Sequence, residues 1–108
     1  MPFAMTHNTM PLPIAAVPVL DIAEFRRDIL DRIDRGGRLL LLTGLRGAGG
    51  ETRLLAAIAD DARGDILLCS TLVADTYPAL TPDCPTAHHF EREICEQYGV
   101  EPQGHPWL

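Results

Sequence analysis

Side chains able to do chemistry crowd the final third of the sequence: Cys84 and Cys95, then His88, His89 and His105, with Glu91 and Glu93 among them. Thiolates and imidazoles are zinc ligands. His88 follows Cys84 by four residues and Cys95 follows His88 by seven, so Cys84, His88 and Cys95 can share one helical face. A structural zinc site ordinarily draws on a Cys-x-x-Cys pair, and the sequence holds none. As a Cys–His nucleophile pair the same residues need an orienting group and an oxyanion donor, and neither can be named. Glu91 and Glu93 stand two apart, which on a helix turns them to different faces and away from paired acid–base work. The plainer readings are small buried thiols and a solvated or partner-docking acidic face. A small metal-binding protein or enzyme using Cys84, His88 and Cys95 stands as the alternative function.

A second cluster, Gly44-Leu45-Arg46-Gly47-Ala48-Gly49-Gly50-Glu51-Thr52, follows an apolar run and invites comparison with a phosphate loop. Such a loop places a lysine before the Ser/Thr, where its ammonium neutralises phosphate. Here Glu51 precedes Thr52, and a carboxylate in that position repels the ligand. The dinucleotide-binding glycine fingerprint also fails, because no third glycine falls at the required step. A hairpin turn whose glycines supply positive φ is the expected role.

These groups need elements to hold them. Asp21 suits a helix N-cap with Glu24 three residues on, and Ile22, Phe25, Ile29, Leu30 and Ile33 recur at helical spacing. That predicts a helix from about 22 to 35, closed by Gly36-Gly37. Three runs follow, 38–45, 51–59 and 66–74, separated by glycine-containing turns; they predict an antiparallel meander. The middle run, with Leu54-Leu55-Ala56-Ala57-Ile58, is also compatible with helix. A second helix starts after Pro85, with Asp83 or Thr86 as cap; Ala87, Phe90, Ile94 and Tyr98 make its core face, and Gly99 ends it. Glu91, Arg92, Glu93 and Glu96 are assigned to its exposed flank, including an Arg92–Glu96 pair. Pro2, Pro11, Pro13 and Pro18 break any early helix. Residues 1–15 are expected as a flexible or extended arm, with a short edge strand near 17–20, and 16–108 as one domain. The fold class expected is α+β, an antiparallel sheet of three or four strands packed by two main helices.

Bulk properties narrow the function. A chain of 108 residues that is 46% hydrophobic builds one core. The formal charge is −6, and nine scattered arginines with no lysine make no basic stripe, so nucleic acid is not an expected partner. Apolar runs such as Leu39 to Leu42 are far too short to span a bilayer, and the N-terminal residues lack the features of a signal peptide. A cytoplasmic location, with three reduced thiols, is the expectation.

The run from Tyr77 to Val100, with its Phe90-Glu91-Arg92-Glu93 helix and helix-ending Gly99, followed by Gly104-His105-Pro106, resembles the 30-kDa subunit family of respiratory complex I. It is closer still to the equivalent N-terminal domain of formate hydrogenlyase-type nickel–iron hydrogenase large subunits. The resemblance implies a small α+β domain with no cofactor of its own. It implies a non-catalytic accessory or assembly role in a membrane-associated NADH:quinone oxidoreductase or hydrogenase complex, docked on the large subunit at the cytoplasmic side, touching the membrane only through the complex. Relatives continue into a tail or a fused large subunit carrying nickel-ligating cysteines, a pattern these residues lack, so the chain is not expected to be catalytic alone. Its matching positions, Phe90, Glu91, Arg92, Glu93, Gly99, Gly104, His105 and Pro106, become candidate partner-docking residues, with Glu91, Glu93 and His105 expected as exposed contacts. His89 stands where relatives commonly have tryptophan. A free-standing interaction domain unrelated to redox chemistry is the third reading.

Overall fold

The computed structural model describes residues 3–7, 14–47 and 49–106. In chain order the elements are β1 (Ala4–His7), β2 (Val19–Leu20), α1 (Ile22–Asp34), β3 (Arg38–Arg46), β4 (Thr52–Asp60), β5 (Asp65–Val73), β6 (Thr76–Pro78), α2 (His88–Tyr98) and β7 (Glu101–Gln103). The α+β expectation holds, and all three runs of the meander are strands. The middle run is strand because β4 is paired on both sides, by β3 and β5. Ladder bonding along a whole segment overrides the mild helix preference of Leu and Ala.

The main sheet is larger than expected. It runs β1-β5-β4-β3, with β2 also on β5, so five strands take part, and β6 pairs with β7 in a separate two-stranded piece. β2 lies parallel to β5, with Val19 opposite Ser70, while the other pairs of the main sheet are antiparallel. The expected edge strand near 17–20 is thus present. Within the expected N-terminal arm Ala4–His7 form a strand that pairs with 65–68 of β5, Phe3 is buried beneath the Arg32 guanidinium, and Ile14–Ala16 at the arm's end form a 3-10 turn. Residues 1, 2 and 8–13 of that arm lie outside the described residues.

Both helices lie on one face of the sheet. The Asp21 carboxylate caps α1 by accepting the Glu24 N–H at 2.8 Å, as its sequence pattern predicts, and Phe25 and Ile29 are the helix's buried residues. They meet Leu42, Leu54, Ile58, Leu67 and Cys69 from the strands, together with Leu80, Ile94 and Val100 from the C-terminal part. Each fully buried Leu, Ile or Phe contributes about 1.5–3 kcal/mol.

α2 is set down on β3 through an absence of side chain. A Cβ on Gly44 would come within 2.7 Å of the Tyr98 ring. The aromatic therefore rests directly on the strand backbone and shields it. The Arg46 guanidinium also lies over this ring, 5.5 Å from its centroid. Gly44→Ala is expected to destabilise by about 1–3 kcal/mol through overpacking. On a domain of this size that is a fall of several degrees in melting temperature, readable by thermal circular dichroism. An unchanged melting temperature would show that α2 is free to shift.

Candidate functional site

The site grows from β6, α2 and β7. β6 and β7 run parallel, with Tyr77 opposite Pro102, and the chain between them carries α2. A 3-10 turn over Pro85–Ala87 leads into the helix. Neither Asp83 nor Thr86 caps it, contrary to expectation. The Asp83 carboxylate instead takes the Arg26 guanidinium of α1, and the Thr86 hydroxyl lies 3.3 Å from the Cys84 thiol. Gly99 closes α2 at φ 68°, with its N–H on the Cys95 carbonyl at 3.0 Å.

Glu91 is the main correction. It is 0% exposed, not part of a solvated flank. Its Oε2 accepts the Tyr77 hydroxyl at 2.6 Å and the Leu80 N–H at 2.9 Å; its Oε1 accepts the Thr81 N–H at 2.9 Å and the Thr81 hydroxyl at 2.5 Å. Taking a carboxylate from water costs several kcal/mol, and it persists only where donors replace the lost hydration. Here four do. From the other side Arg26 donates to the Ala79 carbonyl at 3.1 Å, so the segment 77–83 is held by a charged side chain from each helix. Sequence reading missed Arg26, Tyr77 and Thr81 altogether. The available signal was spacing: Glu91 falls four after Ala87 and three before Ile94, on the core stripe itself.

The other candidate residues separate into inward and outward groups. Phe90 is half-buried against the core, whereas Arg92 and Glu93 are exposed. Arg92 and Glu96, expected as a pair, make no ion pair among the described residues. Gly104 takes φ 86°, and the His105 N–H reaches the Pro102 carbonyl at 3.3 Å, forming a turn. That turn does not present His105 outward. The imidazole is half-buried, stacks on His88 at 5.2 Å between centroids, and places Nε2 3.2 Å from the His88 carbonyl oxygen. Pro106 beside it is exposed.

The histidines converge, but the metal set does not form. His88 lies 4.5 Å from His89 and 5.2 Å from His105, centroid to centroid. Desolvation first, then His89, His105 and Arg92, hold the His88 imidazole below its ordinary pKa. Among the described residues no three His, Cys, Asp or Glu side chains are placed to share an ion. Cys84, proposed as a ligand, is buried beside Thr86. The glycine cluster is a hairpin: the Gly47 N–H bonds the Glu51 carbonyl at 2.7 Å, and β4 rather than a helix follows. No helix among the described residues is long and apolar enough to cross a membrane.

The family model for the 30-kDa subunit of respiratory-chain NADH dehydrogenase matches residues 38–108. The chain belongs to that family. The match begins at β3 and takes in the hairpins, the Glu91 cluster and the Gly104-His105-Pro106 turn. Comparison with curated proteins gives no match. As a 30-kDa-family member the chain is a component of a complex-I-like oxidoreductase.

Glu91→Ala orphans four donors and is expected to lose about 3–5 kcal/mol in urea denaturation. Glu93→Ala is expected to stay within about 0.5 kcal/mol of wild type; equal effects would refute the division into inward and outward groups. At alkaline pH, burial followed by the Glu91 charge and hydrogen bond raises the Tyr77 phenol well above its ordinary range, while burial and then Asp28 push the Cys69 thiol up to about 12. Both groups hold their protons more tightly folded than unfolded. Their stabilisation is therefore complete below the thiol's ordinary value of 9.0 and is lost as pH rises. Urea midpoints should fall progressively above that pH, and Tyr77→Phe should flatten the phenol's part. Native-state alkylation should reach half-buried Cys95 well before Cys69.

Proposed function

We propose that the chain is a non-catalytic docking module that seats on the large subunit of its complex through the outer face of α2 and the turn after β7. The observation that carries this reading is the split within Phe90-Glu91-Arg92-Glu93. Glu91 is spent on locking 77–81 to the helix, which leaves Arg92 and Glu93 exposed on a helix with a fixed orientation. Next to them the Gly104–Pro106 turn is pinned by the His105–His88 stack. A charged pair on a rigid support loses little side-chain freedom when a partner's backbone or charges meet it.

The module carries no cofactor in this reading and works as one domain. The Glu-Arg-Glu helix followed by Gly-His-Pro favours a large subunit of the nickel–iron hydrogenase or formate hydrogenlyase type, with the quinone-linked type as its close relative. The complex then holds the chain at the cytoplasmic side of the membrane.

The test is recovery of partners on the tagged chain from its native cells, with mass-spectrometric identification. A large subunit of a complex-I-like or nickel–iron hydrogenase complex is expected. Glu93→Arg and Arg92→Glu should each reduce that recovery about tenfold, roughly 1.4 kcal/mol, without moving the melting temperature of the isolated chain. Recovery of no such subunit from cells that make one would sink the proposal.

A further inference from the structure

The imidazoles at the start of α2 form a cluster that the Glu91 hydrogen bonds do not need. Three rings meet where the Gly104–Pro106 turn comes back against the helix: His88 lies 4.5 Å from His89 and 5.2 Å from His105, centroid to centroid. His88 and His105 are half-buried, and His89 is exposed. The His88 carbonyl can only accept, so its 3.2 Å contact places a proton on Nε2 of His105. The chain up to residue 103 is anchored separately, by the β6–β7 pairing and by the Ala79 N–H on the Gln103 carbonyl at 2.9 Å. Past that anchor comes Gly104 at φ 86°, and then the residue whose ring reaches α2. The turn is thus hinged at a glycine and tied to the helix through an imidazole.

The groups that act on His88 share one sign. They are His89 and Arg92 of α2 itself and His105 of the turn. The helix adds the positive end of its dipole, because His88 and His89 are its first two residues. Among the carboxylates of α2, Glu91 is taken by its four donors, Glu93 stands one turn beyond His89 and Glu96 about two. Of the strands packed on α2, β3 carries Arg38, which is paired with Asp61, and Arg46, which lies over Tyr98 at the helix's other end. β7 carries Glu101 at its start, whereas His105 follows its end, and the 3-10 turn over Pro85–Ala87 bears no charge. Desolvation and then these cationic neighbours hold the His88 imidazole below its ordinary 6.5. A ring that binds its proton less tightly with the turn in place makes that placement weaken as pH falls. Its contribution is complete above 6.5 and is lost below it, by at most about tenfold in the held-to-released ratio per pH unit.

We propose that the His88–His105 stack is a proton-operated latch, which holds the Gly104–Pro106 turn on α2 near neutrality and lets it swing on Gly104 in acid. The turn belongs to the docking surface, so the latch also makes partner binding sensitive to acid. That second step rests on the docking reading above; the latch itself does not.

NMR of the unaltered full chain between about pH 8 and about pH 5, the span over which imidazoles titrate, tests the latch. Nuclear Overhauser contacts between the His88 and His105 rings should be present at the upper end and vanish at the lower. Their loss should follow the protonation of His88, with a midpoint below 6.5. His88→Phe keeps a ring in the stack but takes no proton, so its contact with His105 should persist in acid. Ring contacts that survive in the acidified wild type overturn the latch, whatever the variant does, and leave the α2 docking surface standing. Equal loss in wild type and a folded His88→Phe overturns it too. On the tagged chain, recovery of the large subunit should fall several-fold in acid for wild type and hold for His88→Phe. If no large subunit is recovered at any pH, the docking reading fails while the ring contacts still decide the latch.

Discussion

The C-terminal half depends on one buried carboxylate. Glu91 sits where water cannot reach it, and it is tolerated because two adjacent backbone amides and two hydroxyls converge on its oxygens. Meeting that demand dictates the path of 77–81, which must fold over α2 with its N–H groups turned inward. The path in turn aligns β6 beside β7, and the helix between them is left facing β3 with Tyr98 over Gly44. Arg26 reinforces the arrangement from α1, so both helices grip the same short segment. Removing the carboxylate would leave its four donors without the acceptor they now share.

Much of the fold was legible in the sequence where local rules decide it. The Asp21 cap, the α1 stripe, the two hairpins and the glycine stop of α2 depend on residues close in sequence, and each forms as its pattern implies. The parallel pairing of β2 with β5 and the bare contact of Tyr98 on Gly44 depend on segments tens of residues apart, which no local period encodes. The candidate site is harder to read for a different reason. The charge of Glu91 points to a solvated flank, although its position relative to Ala87 and Ile94 puts it on the buried stripe. Burial of a carboxylate is decided by donors, and these come from a loop whose course the sequence does not reveal on its own.

The family signature therefore mixes two kinds of residue. Glu91, Gly99 and Gly104 shape the scaffold: the first by its hydrogen bonds, the glycines by backbone conformations at φ 68° and 86° that other residues rarely adopt. Arg92, Glu93 and Pro106 lie exposed on that scaffold. His105 belongs with the first group, since its ring braces the start of α2. A contiguous motif of charged residues can thus hold its support and its contact surface in consecutive positions, because a helix turns neighbours through about 100°.

The acceptor and donors of the Glu91 cluster are separated by only 10 to 14 residues. Closing so short a loop costs little chain entropy, whereas joining β1 to β5 brings together residues some sixty positions apart. Contacts of short range form early, and long-range strand pairing sets the pace of a sheet. The segment that carries the family signature is in this respect a kinetic unit as well as a structural one: its β-α-β piece can assemble before the sheet it will rest upon is complete.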